Sequence, residues 1–452
     1  MPQHQESIWK TNPLSLTHVA SRGAALIAEI AIVVGTRPEL VKMAPVIRAF
    51  ERKREVNLRL IHTGQHYDDN LSGSFFRALN LPAPDINLGI GSISATTQVA
   101  LMMHGLEECF TEKPPDLVLS EGDTNSVLAS ALACSKMRRR YGHIEAGLRC
   151  FEYHMPEEIN RTIADRCADI CFAPTTRAVT NLAFERIPTS RVHLTGNPIV
   201  DACQQHLETA KEESRILQTL ALKPEDRYIL LTVHRQENTA DDQRLRNLIA
   251  TLRLLSDYTI VFPVHPRTRL ALMRNELWLE LSSMQNVKVT EPLSYPDFLL
   301  LESGAFCVMT DSGGVQEEAF SFRVPCITLR PSTERPEGIS LGLNVIADMN
   351  PELAVKAVAR YEARKAGDYD SFPNPYGDGH AGERIARLCM KYLRNGKRER
   401  HVSPEGPGHV LVSVDNILRD DRVLSYLDPG GNAAISAPLS NRRDGWKAMV
   451  VN

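Results

Sequence analysis

The sequence predicts an α/β fold of two Rossmann-like, doubly wound domains facing a cleft. Three observations predict it. Short apolar runs of buried-strand length alternate with amphipathic stretches, each run passes into a polar, often glycine-bearing loop, and the whole pattern occurs twice, on either side of Gly196-Asn197-Pro198. At 452 residues the chain has room for two or three domains with well-buried cores.

The first run, "IAIVV" at 30–34, is a continuous apolar strand ended by Gly35. Pro38 suits a helix start, and Leu40, Met43, Ala44, Ile47 and Phe50 make one apolar helical face. Pro45 lies inside that pattern and predicts a kink. "NLRLIHTG" and "PDLVLSEGDT" are further strands, the second leading into the helical "NSVLASALACSKM", and "YGHIE" is a short strand. In the second half "RYILLTVHR", "YTIVFPVHP", "NVKVTEP" and "AFCVMTDSGG" are four strand-then-loop units separated by helical stretches. Residues 1–28 read as a loose N-terminal extension, 29–197 as the first domain, 198–375 as the second, and 399–452 as a polar, weakly ordered tail.

Composition narrows the function. Apolar content of 43% and charged content of 24% are those of an ordinary globular protein, and a net charge of −3 gives no electrostatic pull toward nucleic acid or an anionic membrane. The nine cysteines are dispersed and form no CxxC, which argues against a zinc site or a redox pair and fits a reducing cytoplasm. The apolar "GAALIAEIAIVVG" is interrupted by Glu29 and is too short to span a bilayer.

"MTDSGGVQEEAF", at 309–320, contains a tetrapeptide that also surrounds serine nucleophiles in secreted proteases. Here it lies between a strand and a helix. That places Ser312, Gly313 and Gly314 at a helix N-terminus, where free N–H groups favour an anion and glycine lets a phosphate approach the backbone. A tight turn alone would use the same glycines. Glu318, one turn on, is placed to accept from the hydroxyls of a ribose. Arg37, Lys42, His234, Arg235, His265, Arg267 and Arg335 fall at comparable positions near strand C-termini. Any one of them is ordinarily a surface residue or cap, but together they suit a diphosphate. Acidic residues also occupy loop ends of the first half. Asp123 stands where it could cap a helix, and Glu157 and Glu158 open a helix where the dipole favours carboxylates. Glu145 ends an apolar strand with no cap to make. In a doubly wound sheet Asp123, Glu145 and Glu157 converge on the cleft that faces the phosphate site, an acid/base cluster opposite a diphosphate.

With these motifs in order, the chain resembles the UDP-N-acetylglucosamine 2-epimerases of the non-hydrolysing type. The matching runs are "GTRPELVKMAPVI", "HTGQHYDDNL", "EGDTNSVLA", "HIEAGLR", "MPEEINR", "GNPIVDA", "HRQEN", "HPRT", "DSGGVQEEA", "TERPE" and "NPYGDGHAGERI", spread over residues 29–395. The resemblance implies a GT-B-like architecture in which 198–375 binds UDP and C-terminal helices at 376–398 cross back to the first domain. It implies interconversion of UDP-N-acetylglucosamine and UDP-N-acetylmannosamine by epimerisation at C2, through elimination of UDP to a 2-acetamidoglucal and re-addition, with no metal or other cofactor. Carried over by motif, Asp123, Glu145, Glu157 and His234 are the catalytic candidates. Arg37, Lys42, Ser312, Gly313, Gly314 and Arg335 contact the diphosphate or the transition state, Glu318 the ribose, and Leu293 and Phe298 the uracil side. Gln65 and His66 match part of a regulatory region. Glu121 stands where many members have histidine, and Gln236 where many have arginine. A cytoplasmic homodimer supplying surface-polysaccharide precursors is also implied. The competing readings are a hydrolysing epimerase releasing the free amino sugar, a GT-B glycosyltransferase, and a non-catalytic nucleotide-sugar sensor.

Overall fold

The computed structural model describes residues 27–65, 76, 79–223, 225–364, 367–369 and 371–395. His66 and the stretches 1–26 and 396–452 lie outside them. The first sheet has seven strands: β1 (Ala28–Val34), β2 (Val56–His62), β3 (Ile86–Asn87), β4 (Leu117–Glu121), β5 (Tyr141–Ile144), β6 (Ile170–Ala173) and β7 (Val192–Leu194). The second has six: β8 (Tyr228–Thr232), β9 (Thr259–Pro263), β10 (Val287–Thr290), β11 (Cys307–Thr310), β12 (Cys326–Thr328) and β13 (Asn344–Ile346). β1 opens at Ala28, which pairs with Val56, so the first strand takes in the last residue of the stretch read as an extension.

Every pairing is parallel, and the orders are β3-β2-β1-β4-β5-β6-β7 and β10-β9-β8-β11-β12-β13. Each order reverses direction once, between β1 and β4 and between β8 and β11. At such a switch point the two flanking loops diverge to opposite faces and leave a crevice at the strand C-termini. The loops after β4, β8 and β11 carry Asp123, His234 and Ser312, and Arg37 opens the helix that follows the loop after β1.

The two halves are joined by helices that share one apolar core. Helix Pro198–Glu213 starts on Asn197, whose side-chain oxygen accepts from the Ile199 N–H at 3.1 Å, with Pro198 in the first turn. Its Ile199, Val200 and Cys203 pack in one cluster with Met43, Ile47 and Phe50 of helix Arg37–Glu51 and with Leu299 and Phe320 from the second half. Helix Ala381–Arg394 returns to the first half and adds Ile385, Ala386 and Cys389 to the same cluster. Its first backbone N–H groups, those of Ala381 and Gly382, donate to the Asp201 carboxylate at 3.1 and 2.9 Å, so one crossing helix caps the other. Helix Arg37–Glu51 runs without a break through Pro45. Its interior there is the docking surface of the returning helix: a Cβ added at Gly382 would lie 2.8 Å from the Pro45 carbonyl carbon and oxygen.

Among the described residues no helix is long and apolar enough to cross a membrane.

Gly382→Val should force this docking apart. Its cost is expected at about 1–3 kcal/mol, the range for overpacking, measured by urea unfolding. A Cβ at Gly314 meets nothing within 4 Å. Gly314→Ala is accordingly expected to change stability by no more than about 1 kcal/mol.

Candidate active site

β5 ends at Ile144, and the next residue, Glu145, has φ +69°, a left-handed conformation that side chains rarely adopt. At that turn its carboxylate is 5% exposed and receives three donors. The Lys42 ammonium and the Asn197 amide, the latter at 3.3 Å, donate to Oε2, and Arg335 Nη2 donates to Oε1 at 2.8 Å. Lys42 Nζ also lies 2.9 Å from Glu121 Oε1 at the end of β4. Lys42 thus comes from the first helix, Asn197 from the crossing segment and Arg335 from the second half. Glu145 is where all three meet.

From the second half, Ser312 is the N-cap of helix Gly313–Ser321. Gly313 is required here by close approach, since an added Cβ would fall 2.4 Å from Arg335 Nη1 and 2.8 Å from Glu334 Oε1. The glycine-opened helix start therefore lies directly against the arginine that reaches Glu145. Arg335 is further tied to Glu317 at 3.2 Å and to Glu334 at 2.5 Å, and Arg330 holds the other Glu334 oxygen at 3.0 Å. Asn197 donates to Glu317 at 2.9 Å, so it touches carboxylates from both halves.

His234 is held by the aspartate of the same tetrapeptide. Buried Asp311 accepts from the backbone N–H groups of His234 and Arg235 at 3.0 and 2.9 Å and from the Asn238 amide at 2.9 Å, while His234 Nδ1 is 3.3 Å from it. Next door, Arg235 pairs with Glu157 at 3.1 Å across the two halves. Asp123 pairs with Arg161 at 2.5 Å, and Arg161 also holds Glu158 at 2.9 Å. The cap of the helix after Asp123 is Thr124, not Asp123. Glu158 is not a solvated first-turn carboxylate either. It is buried and accepts from the Cys150 and Phe151 N–H groups at 3.2 and 3.0 Å, fixing that loop.

The remaining candidates lie further out. Arg37 is exposed at the first position of its helix. Leu293 and Phe298 are partly buried against the apolar cluster on one face of the second sheet. Glu318 accepts from the Tyr295 hydroxyl at 3.0 Å. Gln65 is tied into the first half, where its amide oxygen accepts from Ser126 Oγ at 2.8 Å.

Burial and neighbours set the charges. Burial alone would neutralise Lys42, but Glu121, Glu145 and Glu317 outweigh it and hold the ammonium above its usual range. Burial raises Glu145 too, yet Lys42, a hydrogen bond from Glu121 and Arg335 bring it well below the ordinary carboxylate range. Glu121 goes the other way. Burial and the charge on Glu145 push it well up against the pull of Lys42. Burial lifts Glu317 and Glu318 to about 7. For His234 burial lowers the imidazole, with Asp311 opposing.

Glu121, Asn197, Asp311, Glu317 and Glu334 are members of this cluster that reading the sequence for a site did not select. Glu121 ends an apolar strand as Glu145 follows one, and Glu317 is four residues from Gly313, one helical turn on. Those were the available signals.

Two all-parallel sheets, each with its switch-point loops turned to a shared, charge-lined seam, define an α/β protein of GT-B-like architecture. Within that class, the chain belongs to the UDP-N-acetylglucosamine 2-epimerase family, whose model matches residues 48–390. A UDP-N-acetylglucosamine 2-epimerase of Methanocaldococcus jannaschii is 42% identical over 364 residues, covering 80% of this chain and 98% of that protein. A UDP-2,3-diacetamido-2,3-dideoxy-D-glucuronate 2-epimerase of Pseudomonas aeruginosa is 37% identical over 368 residues, covering 80% and 99%. The crystal structure of the M. jannaschii enzyme in complex with UDP-GlcNAc and UDP superposes with a TM-score of 0.75 at 42% identity, covering 80% of this chain and 99% of that one.

Glu318 binds its proton more tightly folded (about 7) than its ordinary 4.5. Its contribution is therefore full below that ordinary value and lost as pH rises through the folded value. Glu318→Gln, which cannot ionise, should gain about 2 kcal/mol relative to the parent between about pH 5 and pH 8. Urea unfolding at the two pH values checks the difference.

Proposed function

We propose that this protein interconverts UDP-N-acetylglucosamine and UDP-N-acetylmannosamine as a non-hydrolysing 2-epimerase. What carries the proposal is the seam: a carboxylate of the first half, Glu145, is joined through Arg335 to a glycine-opened helix start of the second. That arrangement suits a substrate whose sugar lies on one side and whose diphosphate lies on the other.

The C2 proton of the sugar has no adjacent carbonyl to acidify it. A base removes it while the C1–O bond breaks, and the bond's electron pair leaves on the UDP β-phosphate, forming the 2-acetamidoglucal. A proton then returns to C2 from the opposite face, and the same UDP oxygen rebonds to C1. Charge grows on the leaving diphosphate, which Arg335, Arg37, His234 and the N–H groups at Ser312–Gly314 would stabilise as it develops. Asp123, Glu145 and Glu157 supply the base, the acid and the sugar contacts. Lys42 already serves Glu121 and Glu145, so we assign it to the carboxylates rather than to the phosphates. Glu318 would take the ribose, and Leu293 and Phe298 the uracil side. Gln65 and His66 remain candidates for a regulatory contact. We take 29–197 as the lobe that handles the sugar and 198–375 as the lobe that binds UDP.

The Pseudomonas relative favours a second reading, in which the sugar is another UDP-2-acetamido sugar, here with a different C3 or C6 substituent. We further place the protein in the cytoplasm, which its nine free cysteines support, and expect a homodimer on the family resemblance alone.

Incubation with UDP-N-acetylglucosamine in deuterated water, followed by proton NMR, tests the proposal. UDP-N-acetylmannosamine carrying deuterium at C2 is expected. Free N-acetylmannosamine plus UDP would mean hydrolysis instead. Glu145→Gln is expected to lose about 10²- to 10⁴-fold in kcat and in C2 exchange, the range for removing a proton-transfer group. Exchange at the parent rate would move the base elsewhere.

A further inference from the structure

Lys42 stands between two carboxyl groups, and the reaction above employs one of them. The other, Glu121, is 1% exposed at the end of β4, with Oε1 2.9 Å from Lys42 Nζ. Lys42 also donates to Glu145 Oε2, so one buried ammonium holds both carboxyl groups. Two buried carboxyl groups gathered on a single ammonium resist both being ionised, and a proton held by one of them can be donated to the other. The surrounding donors decide which holds it. Glu145 faces Lys42, Asn197 and Arg335, with Glu317 behind Arg335, whereas Glu121 is paired with Lys42. Neighbouring Ser120 is engaged by the Tyr141 hydroxyl at 2.6 Å. The proton belongs on Glu121 and the charge on Glu145.

We propose that Glu121 is a positioning residue for the C2 proton transfer: its carboxylic acid O–H donates to Glu145 and, with Lys42, fixes that carboxylate at the seam in its ionised form. The inference rests on the epimerase reading. It assigns Glu121 no contact with substrate. The donated hydrogen bond locks the rotation of the Glu145 carboxylate and keeps it charged against the cost of burial. Glutamine at position 121 offers an N–H donor in nearly the same place, and leucine, of similar size, offers none.

The test compares Glu121→Leu with Glu121→Gln, each first checked for parental thermal unfolding. Losing a hydrogen bond to a charged group predicts a fall of about 10- to 100-fold in kcat for Glu121→Leu with KM changed only a few-fold, and Glu121→Gln should restore most of it. Without the donated bond Glu145 is more easily protonated, so Glu121→Leu should lose activity more steeply on the acid side of neutrality than Glu121→Gln. A purely structural role would leave the two profiles parallel. Infrared difference spectra at neutral pH supply a readout independent of turnover: the protonated-carboxyl C=O stretch of the parent should be diminished in Glu121→Gln. An unchanged stretch overturns the assignment, as does a Glu121→Gln enzyme as impaired as Glu121→Leu, or a Glu121→Leu enzyme with parental kcat. If the parent fails to epimerise any UDP-2-acetamido sugar, the epimerase reading falls, while the infrared comparison still decides separately whether Glu121 carries the proton.

Discussion

The buried charge at the seam constrains everything around it. Lys42, Glu145, Glu317, Glu334, Arg330 and Arg335 are each almost wholly removed from water. Removing such ions from solvent costs several kcal/mol apiece, recovered only where geometry is good and further hydrogen bonds satisfy what remains. The chain meets that condition by setting opposite charges against one another: Lys42 against Glu145, Arg335 against Glu145, Glu317 and Glu334, and Arg330 against Glu334. Arg335 is the join, because it contacts Glu145 on one side and Glu317 and Glu334 on the other. Neither half has this set complete by itself. The relative placement of the sheets and the ionisation of the site are thus one problem with one solution.

The apolar scaffold serves that placement. The crossing helices close a core shared by both halves, and their ends meet where Asn197 N–H donates to the Tyr376 carbonyl at 2.6 Å. Asn197 itself does three things: its N–H holds the second crossover, its side-chain oxygen caps a helix, and its amide nitrogen spans Glu145 and Glu317. The segment that divides the two repeats of the strand pattern in the sequence is therefore also part of the charged cluster.

Much of this was legible beforehand, for identifiable reasons. Long apolar runs announce central parallel strands, so β1, β4, β8 and β11 and the loops that follow them stood out, and with them Asp123, His234 and Ser312; Glu145 stood out as an acid ending the short strand β5. The shortest outer strands, β3, β7 and β13, did not. β3 is two residues long, and β7 and β13 are three each, too short for any periodicity to emerge. The partners of the site were hidden for a different reason. Glu317 and Glu334 look like ordinary solvated acids in a helix and a loop, and only the tertiary arrangement buries them beside Arg335. Glu158 misled in the same way, since a first-turn glutamate ordinarily faces water.

Asp311 shows how a local motif acquires a distant role. In "TDSGG" the two glycines belong to the helix start, but the aspartate faces away from it and takes up the N–H groups of His234 and Arg235 at the neighbouring switch-point strand. Strand β11 lies beside β8 in register, Thr310 against Thr232, so the residues just past each strand end are forced together. The carboxylate fixes the loop after β8 relative to the loop after β11. That loop in turn presents Arg235 to Glu157 across the seam. A single buried aspartate thereby ties the helix start, the imidazole and one inter-half ion pair into a unit. This is why the tetrapeptide belongs to the site through its first residue as much as through its glycines.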